Sequence, residues 1–266
     1  MLSIAVVGCG AIGRALLRAV DDGHLPVKVV GVASRGEERA KAFLATLGNP
    51  VDYLSPQDLV ERADLVIEAA GADVVPDLAR LTFGAGKDLM VISVGALLDH
   101  PELVAVAVER SCRLFVPSGA IAGLDGIKSA AEGRIDHVTM TSRKPPEALQ
   151  GAPFLVDKGM SLEGLEEERL LFEGSAREAC KGFPANVNVS AAVSLAGIGP
   201  DRTRVRIIAV PGLTRNCHDI EVEGEFGRLA VHIENVPTEN PRTGKLTALS
   251  IIRTVREITA SLKVGT

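Results

Sequence analysis

His218 stands in a polar run, Arg215, Asn216, His218 and Asp219, inside an otherwise β-rich stretch. An imidazole that titrates near neutrality takes up a proton or activates a water at physiological pH, so this position is the candidate general base. The other histidines offer less. His24 and His100 fall in expected surface turns, and His137 and His232 in strands with no other polar cluster around them. Cys217 adjoins His218, but neighbours along a strand point to opposite faces, which argues against a nucleophilic cysteine–histidine pair. The acidic stretch 163–168 (EGLEEE) has no His or Cys beside it and reads as a solvated loop or helix start, so no metal site is expected.

A second set of residues points to a cofactor. Gly8, Gly10 and Gly13 stand in the G-x-G-x-x-G register between an apolar run, residues 2–7, and a helical stretch. Gly8 permits the tight turn out of a strand, Gly10 lets backbone approach a pyrophosphate, and Gly13 lets the helix pack closely on the strand. With Ala11 and Ile12 they place helix N–H groups toward the phosphates of a dinucleotide. In the usual fingerprint a carboxylate at the end of the second strand binds the ribose hydroxyls, but here the residues are Val32, Ala33, Ser34 and Arg35. Arg35 suits a 2′-phosphate, so the expected cofactor is NAD or NADP, with dual use or a leaning to NADP. Ala70, Gly71 and Gly95, at the ends of later strands, complete the expected cofactor contacts.

The elements that must position these residues follow from hydrophobic pattern. Strands are expected at 2–7, 27–33, 64–70 and 88–94, with a further short one at 113–116 and a helix at 37–47. Such alternation predicts an α/β fold, a doubly wound Rossmann-type parallel sheet, with ligands beyond the carboxyl ends of its strands. After 117–125 the rhythm changes. Longer alternating strands at 135–143, 203–210 and 218–236 (the last folding back at 224–227), with helices at 122–131 and 188–195, predict a second α+β domain with a mainly antiparallel sheet. The expected division is 1–117 for dinucleotide binding and 118–241 for substrate, catalysis and oligomerisation. The turn-rich ENPRTG and an amphipathic helix over 245–261 follow, and the segment 242–266 is expected to pack back on the first domain.

Bulk properties narrow the partners. A net charge of −5 gives no electrostatic reason to bind nucleic acid or an anionic membrane, and with no Trp and one Tyr there is little to stack bases on. No run is long enough to span a bilayer and no secretory signal is visible. Cys9, Cys112, Cys180 and Cys217 lack disulfide or zinc spacing, which suits free thiols in the cytoplasm.

VVGCGAIG at the start, ISVGAL and PSGAIAGLD in the middle, and TSRKPP, PANVNVSAAVSLAG and RNCHDIEVEGEFG in the second half together resemble the L-aspartate dehydrogenase family, essentially from end to end. The resemblance implies oxidative deamination of L-aspartate: hydride leaves Cα for the nicotinamide, and the resulting iminosuccinate is hydrolysed to oxaloacetate and ammonia or passed toward NAD biosynthesis. It carries the catalytic role to His218 and nicotinamide contacts to Ala122 and Asn188. A dicarboxylic amino acid needs cationic or N–H partners, for which Arg143 and Lys144, with Asn216, are the candidates. Asn188 can bond a carboxamide through both of its polar groups, and a helix N-cap is its structural alternative. A homodimer is expected, through the exposed antiparallel sheet. The competing readings are a related homoserine or dihydrodipicolinate-type enzyme and a non-catalytic NAD(P)-binding sensor.

Overall fold

The computed structural model describes residues 1–184, 187–237 and 244–265. The expected turn at 239–244 therefore lies, apart from Gly244, outside the described residues. Contacts group the chain into two compact units, Met1–Pro117 with Ala248–Lys263, and Ser118–Thr247 with Val264–Thr266.

The first unit is built on five parallel strands, β1 (Leu2–Val7), β2 (Val27–Ala33), β3 (Leu65–Glu68), β4 (Asp88–Val91) and β5 (Leu114–Phe115), in the order β2-β1-β3-β4-β5. Parallel strands are buried on both faces, which is why they read as continuous apolar runs rather than alternating ones. Ile4, Val6, Leu65 and Ile67 form a core with Leu16 and Leu17 of the helix Ala11–Asp21. Ile251 and Val255 of the C-terminal helix Lys245–Thr259 join that core, and Arg256 Nη2 donates to the His24 carbonyl at 2.8 Å. The strand order reverses between β1 and β3, and in sheets of this kind ligands bind beyond the carboxyl ends at such a switch point.

Two of these strands are shorter than their sequences predict. Hydrophobicity alone extends β3 to Ala70 and β4 to Val94, yet the ladders stop at Glu68 and Val91. The Glu68 carboxylate takes the backbone N–H groups of Ala70, Gly71, Ile92 and Ser93, and so removes them from strand pairing. The helix expected to reach Leu47 ends at Leu44, and turns carry the chain on.

The second unit holds a mixed sheet of β6 (Ile135–Lys144), β7 (Arg169–Ser175), β8 (Arg204–Ala209), β9 (Asn216–Gly224) and β10 (Gly227–Asn235), in the order β10-β9-β6-β8-β7. Three of its pairings are antiparallel, while β6 and β8 run parallel. Hydrophobic pattern misses β7, an edge strand beside the acidic stretch. It also misses the helix that follows, Ala176–Gly182, although Ser175 and Glu178 form a capping box at its start. One face of the sheet packs Val138, Met140, Ile220 and Val222 against Ile127 of the helix Leu124–Ala130 and Val193 of the helix Asn188–Ala196. The other face carries charged side chains. No helix among the described residues is long and apolar enough to cross a membrane.

Candidate active site

The carboxyl ends of β1, β2, β3 and β4 gather the first group of expected residues. Gly8 has φ +113° and its N–H donates to the Ala33 carbonyl at 2.7 Å, closing the turn out of β1 across to the end of β2. At Gly13 a methyl group would overlap the Gly8 carbonyl oxygen, so the helix can lie this close only without a side chain. A methyl group at Gly10 would meet nothing within 4 Å. Gly10 caps the helix Ala11–Asp21 with no side-chain hydrogen bond and no acidic residue in the first turn. Small residues, unblocked backbone and helix N–H groups are what a pyrophosphate requires, and the loop fits that group.

Ser34 and Arg35 follow β2, and Tyr53 Oη donates to the Ser34 carbonyl at 2.5 Å, pinning this bend. The guanidinium of Arg39 folds back over Gly36, with Nη2 3.1 Å from where a Cβ would sit. Two arginines therefore flank the stretch where a ribose-binding carboxylate would otherwise stand. Gly71, at φ +130°, and Ala70 donate their N–H groups to Glu68. Gly95 precedes the short helix Ala96–Asp99.

The second group lies on β6 and β9. These strands pair antiparallel with Ser142 opposite His218, Met140 opposite Ile220 and Val138 opposite Val222. Side chains alternate, so Ser142, Lys144, Asn216 and His218 share the face that bears the apolar core and form its polar end. All four are buried, with His218 2% exposed and Lys144 4%. Ser142 Oγ lies 3.0 Å from His218 Nδ1. With Nδ1–H donating to this hydroxyl, the lone pair sits on Nε2, where a base needs it. The His218 pKa is lowered from 6.5 to about 3, by burial first and by the Lys144 charge second, with Asp219 opposing both. Opposite Asn216 on β10 is Asn235, whose Nδ2 donates to the Ala120 carbonyl at 2.6 Å. Ala122 is exposed in the loop before the helix Leu124–Ala130. Asn188 is the first residue of its helix rather than the cap, which is Val187.

Arg143 is not part of this cluster. The alternation that sends Lys144 to the core face sends Arg143 to the other one, where it is ion-paired with Asp219 and about one-third exposed. On that same face His232 Nδ1 donates to Asp219 Oδ1 at 2.6 Å, and Arg215 Nη1 donates to Glu234 Oε2 at 2.7 Å. His232, expected in a strand with no polar cluster around it, therefore stands between Asp219 and Glu234. Hydrogen bonds to Asp219 and Glu234 raise its pKa. Burial pushes the Asp219 carboxyl up, but its bonds from His232 and Arg143 outweigh this and hold it low. Cys217 also lies on this face, away from the His218 ring, with its thiol pushed up by burial. Among the described residues no group of three or more His, Cys, Asp or Glu is placed to hold a metal ion.

A family model described as Aspartate dehydrogenase, C-terminal, matches residues 125–258, and one described as Homoserine dehydrogenase, NAD binding domain, matches residues 8–117. The chain is similar to an L-aspartate dehydrogenase of Methanosarcina mazei, 45% identical with all of both chains covered. It is also 45% identical to L-aspartate dehydrogenase 3 of Bordetella bronchiseptica, covering all of this chain and 98% of that one. In fold it resembles the crystal structure of an aspartate dehydrogenase from Thermotoga maritima, with a TM-score of 0.76, 24% identity and 100% of each chain covered.

Proposed function

This chain belongs to the L-aspartate dehydrogenase family, and from that premise we propose the division of labour among its residues in the oxidative deamination of L-aspartate. L-Aspartate, oxidised pyridine nucleotide and water give oxaloacetate, ammonium, reduced nucleotide and a proton. The observation that carries the reading is the buried imidazole of His218 on the same sheet face as the buried side chain of Lys144.

When bound, the nicotinamide accepts the hydride that leaves the substrate Cα. The chain's own residues do the rest. Lys144 and Asn216 hold substrate carboxylate. His218, its ring fixed by Ser142, takes the proton that the substrate ammonium must lose before its nitrogen lone pair can form the C=N bond. Once that proton has passed to solvent, the same ring draws a second one from the water that adds to the imine carbon. Burial is the larger cause of the depressed imidazole pKa; a dicarboxylate beside Lys144 offsets the second cause, so substrate binding shifts the pKa upward. Ala122 and Asn188 are assigned to the nicotinamide end of the cofactor, the Asn188 amide serving as both donor and acceptor.

We assign the nucleotide as NADP, alone or alongside NAD. Arg35 supports this, and so does Arg39, whose guanidinium lies over Gly36 beside it. The decisive assay follows reduced nucleotide with L-aspartate and either cofactor. Arg35→Ala is expected to raise the NADP KM about tenfold with the NAD KM unchanged; equal effects on both cofactors sink the 2′-phosphate assignment, and no reduction with either sinks the activity. At the glycine loop, Gly10→Ala leaves the fold intact, because the methyl group meets only open space, and weakens nucleotide binding about tenfold by keeping backbone from the pyrophosphate. Calorimetric titration, alongside an unchanged melting temperature, checks this. A cytoplasmic location, supported by four free cysteines, belongs to the same reading. So does a homodimer through the outer face of the second sheet, which sedimentation velocity decides.

A further inference from the structure

Glu68 is wholly buried at the end of β3, beside Val7 of β1 and Val91 of β4. Its carboxylate accepts five hydrogen bonds. Oε1 takes the N–H groups of Ala70 and Gly71, at 2.7 and 2.8 Å, and the Ser93 hydroxyl at 3.0 Å. Oε2 takes the N–H groups of Ile92 and Ser93, at 3.1 and 2.9 Å. Four of the five donors are backbone groups from two different strand ends. The neighbouring Gly8 turn lies against the same segment, since a methyl group on Gly8 would overlap the Ala69 carbonyl.

A carboxylate is an expensive way to satisfy these donors. Its burial has a large desolvation penalty, and no ion pair offsets it among the described residues. If the fold alone mattered, an apolar side chain would serve at the centre of this sheet, and the N–H groups could pair in longer strands. What the carboxylate adds is geometry. It bends the chain out of both ladders and ties the two bends together at the carboxyl edge, where a dinucleotide binds in folds of this class.

We propose that Glu68 is the positioning residue of the nucleotide site, setting the backbone of Ala70 and Gly71 and of the segment leading from Ser93 to Gly95. The inference rests on the assignment of this edge to a pyridine nucleotide. Glu68→Gln places an amide NH2 against groups that are themselves donors, so the two bends separate. The expected result is a rise of about tenfold or more in the Kd for NAD or NADP by calorimetry, and the same rise in nucleotide KM, with the L-aspartate KM and the saturated kcat changed less than about threefold. A purely structural residue would lower the melting temperature and leave the Kd of the folded protein alone. A folded Glu68→Gln protein with wild-type Kd overturns the inference. If that variant does not fold, Ser93→Ala, which removes one donor, decides: a nucleotide KM raised about threefold supports the role, and an unchanged one overturns it. Wild-type protein that binds neither nucleotide overturns the site assignment as well, whereas wild-type binding with matched binding by the variant overturns this inference alone.

Discussion

Replacing His218 by alanine is expected to lower L-aspartate turnover at least about a hundredfold, while the nucleotide Kd stays within about twofold of wild type. The ring is the only imidazole on the core face of the second sheet among the described residues. Its partner Ser142 is a hydroxyl, too weak a base at neutral pH, and Lys144 is assigned to holding substrate carboxylate. Near-normal turnover in His218→Ala rejects the assignment. His218→Asn, which can still bond Ser142, separates loss of the base from loss of the local hydrogen bond: it too must be slow. The same ring leaves a mark on stability. Its folded pKa is about 3 against an ordinary 6.5. Below the ordinary value the unfolded chain takes up a proton that the folded chain refuses, so stability is fully present above it and is lost progressively as pH falls toward 3. His218→Gln removes that linkage. Its urea midpoint is expected to fall less than the wild-type midpoint between about pH 7 and about pH 5.

How much of this could be read from residues depended on whether the controlling interaction was local. The glycine loop, β1 and β2 follow from neighbours in sequence, because turn chemistry and a buried apolar run specify them together. The ends of β3 and β4 do not. There a single side chain, Glu68, captures N–H groups 24 and 25 residues away, which hydrophobicity cannot foresee. The Arg143–Asp219–His232 network is likewise a matter of register across strands. A signal for part of it was present: counting outward from the two-residue turn at 225–226 places His232 opposite Asp219. Strand alternation, which separates Cys217 from His218, applies equally to Arg143 and Lys144, and following it along β6 would have kept only Lys144 with the base.

That separation of adjacent cations makes the second large effect testable as a contrast. Lys144→Met keeps most of the buried stem and removes the charge, and it is expected to lower kcat/KM for L-aspartate about a hundredfold, mainly through KM, the scale of a lost charge-assisted hydrogen bond to carboxylate in a buried site. Arg143→Ala, one residue earlier, is expected to change kcat/KM by less than about threefold, because its guanidinium is engaged with Asp219 on the other face and partly screened by water. If both variants lose activity equally, the sheet face does not organise the substrate site. If only Arg143→Ala loses it, the substrate lies on the opposite face and His218 is not the base. The Lys144 variant carries a second readout that a packing defect would not produce. Removing the neighbouring positive charge lifts one of the two causes that depress the imidazole, so the His218 pKa must move up from about 3. An NMR titration of the ring in folded Lys144→Met measures that shift directly, and an unmoved pKa would mean that the two side chains do not sense each other across the buried face.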